Sequence, residues 1–394
     1  MNINRTKMSL IDYIEMNPRE TIAKGCIAKK IGMDKLQPFC RDILEYELAE
    51  FNGGSKFRNG DTIMARITPC LENGKTAMVT ILDENEVGFG STEYIVFRAK
   101  KGWTIPNFVY YLVCSSVVRE LAIKSMVGSS GRQRVQTDIV ANLEINFPSL
   151  DKQTRISSIL KSLDDKIALN NKINNNLEHQ METLFRSLFV ENVNSAWQEG
   201  VLSDLGTIVA GGTPSKAKPE YYAEHGIAWI TPKDLSLNKS KFISNGENDI
   251  SELGFSKSST TKMPAGTVLF SSRAPIGYIA IAANELTTNQ GFKSVVPNEN
   301  IGTAFMYFLL KWLLPTIERM ASGSTFKEIS GTGMKSVPVV IPDDKTIAQF
   351  NDFCSPIFQQ QEILEAENIR LSNIRDALLP KLMSGELDVS DIDL

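Results

Sequence analysis

The residues with chemical potential lie in short glycine-rich stretches, and most lack the partners that catalysis needs. Gly74-Lys75-Thr76 ends like a phosphate-binding loop, but the first glycine of that motif falls at Pro69 and the residues that follow have a strand pattern, not a helical one. Gly88-Phe89-Gly90 is too short to signal a dinucleotide site. An Asn/Asp-Pro-Pro-aromatic motif for amino-methylation is absent, because the 394-residue chain contains no Pro-Pro. The two histidines, His179 and His225, offer no Ser/His/Asp arrangement. The five cysteines, Cys26, Cys40, Cys70, Cys114 and Cys354, form no close pair, so neither a disulfide framework nor a metal site is expected. Pro342-Asp343-Asp344-Lys345 looks faintly nuclease-like. It sits at a strand-to-helix junction, where acids favour a helix N-terminus, and capping is its expected role.

A different chemistry suits Gly128-Ser129-Ser130-Gly131-Arg132-Gln133-Arg134. Glycine lets the backbone approach a phosphate, hydroxyls and NH groups can bond it, and an arginine can give two donors to a guanine edge. The alternative is a solvated linker. In the second half of the chain Ser322-Gly323-Ser324-Thr325-Phe326-Lys327 takes the same place, with Phe326 where Arg132 stands and Glu328 where Arg134 stands. A duplicated enzyme would tend to keep its catalytic set in at least one copy. Two diverging reading heads would look like this pair of loops.

Two long helices must position these loops. From Ile156, steps of four and three residues give Leu160, Leu163, Ile167, Asn170, Asn174, Leu177, Met181, Leu184 and Leu188, of which eight of ten are apolar, as a coiled-coil seam requires. The helix expected over 151–190 would be a rod of roughly 60 Å at about 1.5 Å per residue. The same seam returns 194 residues later as Phe350, Cys354, Ile357, Gln361, Leu364, Asn368, Leu371, Arg375, Leu378 and Leu382. Met126 to Pro148 pairs without a gap with Met320 to Pro342 at the same offset, and each copy closes on an apolar strand, Asn142 to Phe147 and Ser336 to Ile341. One offset shared by strand, proline and helix points to duplication of a whole domain rather than to the short units of a solenoid. Antiparallel pairing centred near residue 172 would set Asn170 opposite Asn368, an amide pair that fixes register at a cost in stability.

The division expected is a first head over 1–150, a spacer helix over 151–194, a second head over 195–342, and a second spacer with tail over 343–394. At 42% hydrophobic and 22% charged the chain is globular, with room for two cores. The formal charge of −4 is uneven: 19 basic against 17 acidic residues in 1–147, 6 against 6 in 148–194, 13 against 12 in 195–341, and 4 against 11 in 342–394. Both heads are near neutral, so nucleic-acid binding would need cations gathered on one face. Residues 1–10 have no apolar core for a signal peptide and the most apolar run, Phe305 to Pro315, is short and carries Lys311, so a cytoplasmic location is expected.

Strands are expected at Thr62–Ile67, Thr76–Leu82 and Tyr94–Arg98 in the first head, after a short helix at Ser9–Glu15, with one buried helix over Asn107–Met126. The second head repeats the order with Thr267–Ser271, Tyr278–Ala282 and Lys293–Val296, then a helix Thr303–Met320 kinked at Pro315. It opens on the tight turn Gly211-Gly212-Thr213-Pro214-Ser215-Lys216, ahead of Trp229. The fold class expected is α/β (α+β), with two duplicated heads separated by two long helices in an antiparallel coiled coil.

Four stretches carry a family resemblance: Gly60-Asp61-Thr62-Ile63-Met64-Ala65-Arg66, Gly90-Ser91-Thr92-Glu93-Tyr94, Gly211-Gly212-Thr213-Pro214, and Leu378-Leu379-Pro380-Lys381-Leu382-Met383-Ser384-Gly385-Glu386-Leu387. In their order and duplication, over nearly the whole chain, they resemble the specificity subunit of type I restriction-modification systems. The resemblance implies a non-catalytic DNA reader whose two helices pack antiparallel and hold two target-recognition domains in inverted orientation. It implies two modification subunits as partners, which methylate adenine N6 with S-adenosylmethionine, and restriction subunits bound through them. S-adenosylmethionine, ATP and Mg would then belong to the partners and no cofactor to this chain. Double-stranded DNA would be read as a split, asymmetric target.

The candidate contacts read from residue type are Lys56, Arg58, Arg66, Lys75, Arg132, Gln133 and Arg134 in the first head. In the second they are Thr213, Ser215, Lys216, Lys218, Lys233, Ser272, Arg273, Thr325 and Lys327. Two other classes stay open: a DNA-modifying enzyme fragment, which would bind S-adenosylmethionine by itself, and a coiled-coil scaffold, which would show no salt-dependent DNA affinity.

Overall fold

The structure, a computed structural model, describes residues 8–129, 131–238, 240–273, 275–323 and 327–389. Its contacts divide the chain into two compact units, 1–169 with 368–394, and 170–367. The cut passes through both long helices, because each half of a helix buries its seam against one head. The helices run over Leu150–Arg186 and Asp344–Ser384. The first is shorter than its apolar pattern, since a wide turn over Ser187–Glu191 replaces its last residues.

Within each unit the two helix segments run antiparallel. In the first unit Arg375 bonds Asp164, and in the second Gln361 donates to the Asn174 carbonyl at 3.0 Å and Phe185 packs edge-on against Phe350. None of the twenty seam positions is exposed. Full burial of such a leucine or phenylalanine stabilises by roughly 1.5–3 kcal/mol. The Asn170 amide donates to the Glu367 carboxylate at 2.8 Å, one residue before the asparagine that the seam pattern sets opposite it. The second helix starts where its cap does: Asp343 accepts from the Thr346 backbone and hydroxyl, both at 2.9 Å, and from the Trp197 indole at 2.9 Å.

The first head carries two four-stranded sheets. One has the order Ile14–Met16, Tyr94–Ala99, Thr62–Ala65, Thr76–Met78, all antiparallel. The other joins Glu47–Glu50, Ile27–Ile31, Gly88–Gly90 and Lys56–Phe57, with one parallel pairing. In the second head Gly206–Ala210, Lys293–Pro297, Val268–Ser272 and Ile276–Ala282 take the places of the first sheet in the same order, and Phe242–Ile243 adds a fifth strand in parallel. The hydrogen bonds repeat as well. Gly60 donates to Val79 and Val79 to Asp61, as Gly266 donates to Ala282 and Ala282 to Thr267. Both glycines are left-handed, at φ +89° and +84°. This equivalence runs at an offset of 206 for Gly60 and Asp61 and of 203 for Val79, so the 194-residue repeat did not expose it.

One expected helix is two. Pro106–Cys114 and Ser116–Lys124 are separated at Ser115, whose hydroxyl bonds the Leu112 carbonyl at 2.6 Å. The aligned runs Phe108-Val109-Tyr110-Tyr111-Leu112 and Phe305-Met306-Tyr307-Phe308-Leu309 stand 197 apart, while Met126 and Met320 stand 194 apart, so the first head fits three extra residues at this break. The counterpart Thr303–Met320 runs unbroken through Pro315. Around each helix pair the cores close on the rods. Ile156, Leu160, Leu382 and Val389 are buried with the first head, and Met181, Phe185, Phe350, Cys354 and Phe358 with the second.

Candidate nucleic-acid interface

In the first head the loop 127–134 is a closed lasso. Val127 and Arg134 exchange backbone bonds at 3.0 and 2.9 Å, Thr68 donates to the Gln133 carbonyl at 3.0 Å, and Val135 donates to Arg66 at 2.9 Å. The neck is fastened by charge. Arg134 gives the Glu93 carboxylate bonds of 2.7, 2.9 and 3.0 Å, and Arg66 Nε reaches the same group at 3.2 Å. The two guanidiniums, Arg134 first, hold the Glu93 pKa below its ordinary value against the opposing effect of burial. At the tip Arg132 is exposed and Gln133 half-buried, and among the described residues neither side chain has a partner. Gly131, at φ +78° with open space where a Cβ would stand, turns the chain there.

The second head closes its loop in the same way. Ser322 and Glu328 exchange backbone bonds at 3.1 and 2.9 Å, and Ile329 donates to Ser272 at 3.1 Å, as Val135 does to Arg66. The neck charge is reversed. Glu328 sits where Arg134 does and is met by Arg273 at 3.4 Å and Lys293 at 3.8 Å. Lys327 is exposed beside it, and Thr325, expected as a contact, lies outside the described residues. Both heads therefore conserve the frame of a loop while changing the side chains it presents.

The other candidates divide by what they already hold. Arg58 is tied to Glu20 at 2.7 Å and to the Asn85 carbonyl at 2.8 Å, and Lys75 to the Met33 carbonyl at 2.8 Å. Lys233 pairs with Glu247 at 2.6 Å and Arg273 with Glu328. Lys56 and Lys218 lie over the rings of Phe51 and Tyr221, at 5.6 and 5.3 Å. Ser215 and Lys216 are exposed and Thr213 half-buried. Ser272 must be corrected as a surface contact: it is fully buried, with its hydroxyl on the Gly291 carbonyl at 3.1 Å, because it ends a core strand at the place that Arg66 occupies in the first head.

The two glycine motifs are turns of packing. A Cβ on Gly74 would stand 2.5 Å from the Phe39 ring, and Thr76 is already buried in a strand, which removes the phosphate-loop reading. A Cβ on Gly211 would meet the Asn289 carbonyl at 1.9 Å, and one on Gly212 the Ser259 backbone at 2.5 Å. This close approach lets the Trp229 indole bond the Gly212 carbonyl at 3.0 Å. Residue type alone missed Glu93, which holds the first loop, and the half-buried staple of Glu20, Arg98 and Asp61, with bonds of 2.6–2.7 Å. The partners are 37 to 78 residues apart, and no local signal joins them.

Among the described residues no group of three or more His, Cys, Asp or Glu is placed to hold a metal, and no helix is long and apolar enough to cross a membrane. The model of the type I restriction modification DNA specificity domain matches twice, over residues 8–179 and 194–372. The specificity subunit of the type I restriction enzyme MjaIX of Methanocaldococcus jannaschii is 35% identical over 198 residues, 48% of this chain and 46% of that protein. The HindI specificity subunit of Haemophilus influenzae is 25% identical over 84% of this chain and 87% of its own length. The crystal structure of the type I restriction-modification S subunit from M. genitalium shares the fold, with a TM-score of 0.59 at 17% identity, over 97% of this chain and 96% of that one.

Proposed function

The chain belongs to the family of type I restriction-modification DNA specificity domains, and from that premise we propose that it reads a split, asymmetric DNA sequence, one half with each head. The observation that carries the reading is the double match to the family, one per head, joined to two loops of the same frame and different side chains. A scaffold would have no reason to preserve the lasso while reversing the charge at its neck. The unengaged groups fit base or phosphate contact best: Arg132 and Gln133 in the first head, Ser215, Lys216 and Lys327 in the second. The residues already held by acids or carbonyls, Arg58, Arg66, Lys75, Arg134, Lys233 and Arg273, shape the surface around them.

The chain itself performs no catalysis under this reading and carries no cofactor. Two modification subunits methylate adenine with S-adenosylmethionine, and restriction subunits using ATP and Mg join through them, in the cytoplasm. The test is selection of duplexes by the full chain from a random pool, with mapping of methylated adenines in cells with and without it. One bipartite, asymmetric motif is expected in both, bound less tightly as salt rises. Absence of any enriched sequence would leave the scaffold, and S-adenosylmethionine binding by the chain alone would favour the enzyme.

A further inference from the structure

Arg41 and Lys241 occupy the same place in the two heads. The Arg41 carbonyl accepts from Met78 at 2.9 Å and the Lys241 carbonyl from Ile281 at 2.7 Å, in each case on the second strand of the central hairpin. Both side chains turn away from the head toward the rods. Arg41 binds Asp165 of the first rod at 2.8 Å and is braced by Asp42 at 2.8 and 3.1 Å. Lys241 reaches Glu178 of the same rod and the Gln361 side chain of the other. It is walled by Phe358, Tyr307 and Phe308, with ring centres 4.4, 4.9 and 5.8 Å from the ammonium.

The second rod takes the backbone of the same segment in each unit. Arg375 donates to the Phe39 carbonyl at 3.4 Å, whereas Glu365 accepts the Lys241 and Phe242 amides at 2.9 and 3.1 Å. Each head is thus held at one short segment by both rods, through a basic side chain, half-buried Arg41 or buried Lys241, and a charged grip on its backbone. Packed elements can shear past one another by small amounts, and charge-assisted bonds from both rods to one segment oppose that sliding.

We propose that Arg41 and Lys241 are positioning residues for DNA recognition, which fix how each head is seated on its rods and so the angle at which its loop meets a half-site. The proposal rests on the reading of the chain as a two-headed DNA reader. Neither residue touches DNA. Their removal should change where a head reads, not what its loop recognises.

The test uses the full chain in selection from duplexes in which the two half-sites are kept and the gap between them is varied. Wild type should prefer one gap, and a wild-type chain that selects no split sequence would refute the functional reading rather than this one. Lys241→Met should cut the preference for the native gap about tenfold, a change of about 1.4 kcal/mol, with the bases chosen in both half-sites unchanged. Arg41→Met should do the same, and Arg41→Lys should restore part of the preference. Glu178→Gln keeps the volume at the Lys241 contact and decides the matter if Lys241→Met fails to fold. Affinity lost equally for every gap, or an unchanged gap preference in folded variants, would overturn the proposal.

Discussion

Glu93 takes three hydrogen bonds from Arg134, so the arginine that residue type marked as a reader is the fastener of its loop. Its neighbour Arg132 extends the same loop without a partner among the described residues. The two should separate on mutation. Arg132→Ala is expected to lose around 1–3 kcal/mol of discrimination at one base pair of one half-site. Arg134→Ala should weaken that whole half-site and raise amide exchange in the loop. Selection of bound duplexes together with hydrogen exchange checks both.

Acid should open the same neck. The Glu93 pKa lies below its ordinary 4.5, held down first by Arg134 and then by Arg66. A carboxylate lowered in the folded state contributes stability that is fully present above its unfolded pKa and is lost as pH falls through the folded one. Protection of the Val127 and Arg134 amides should therefore hold from neutrality down to about pH 5 and fade below about 4.5. Glu93→Gln should show the faded state at pH 7.

The rods pair by unlike means in the two units. In the first, buried Asp164 bonds Arg375 at 2.8 Å and the Tyr111 hydroxyl at 2.7 Å. At the repeat-equivalent places of the second, Phe358, Met181 and Phe308 lie in one apolar core. Arg375→Met alone should cost about 3–5 kcal/mol by leaving a buried carboxylate without its cation. The triple variant Tyr111→Phe, Asp164→Phe, Arg375→Met, which imports the apolar solution, should recover most of the loss in chemical denaturation.

The same arithmetic bears on a fragment of residues 1–194. Pairing of its helix with a second copy would bring Met181 opposite Asp164 where Arg375 stands in the whole chain, since 375 less 194 is 181. Both ends of that dimer would bury an unpaired carboxylate. The fragment should dimerise weakly, and Met181→Arg should strengthen the dimer and direct it to a palindromic target. Sizing of the two fragments over a concentration series checks this.

Much of the frame was legible. The seam could be read because burial on a helix leaves a period, and the start of the second rod because Asp343 has few uses beside a strand and a helix other than as a cap. The split at Ser115 was not, since a single hydroxyl and three extra residues leave the apolar pattern intact. The interface was half legible. Composition finds Arg66, Lys75, Arg134 and Arg273, but whether a cation is free depends on an acid or carbonyl brought close by the fold, such as Glu93 or Met33. Ser272 was misplaced because its equivalence to Arg66 runs at the 206-residue offset of the hairpin, not at the 194 of the rods.

The first unit is built from both ends of the chain, with Leu382 and Val389 buried in the core that holds Leu10 and Ile156. The second is one uninterrupted stretch, 170–367. The expected order of core closure is therefore the reverse of the order of synthesis. The residues made first must wait for about 200 more before their core can close, on the order of ten to forty seconds at roughly 5–20 residues per second. The second unit has its whole sequence in hand before then. During that interval the half-built head and its unpaired helix leave apolar surface open to aggregation.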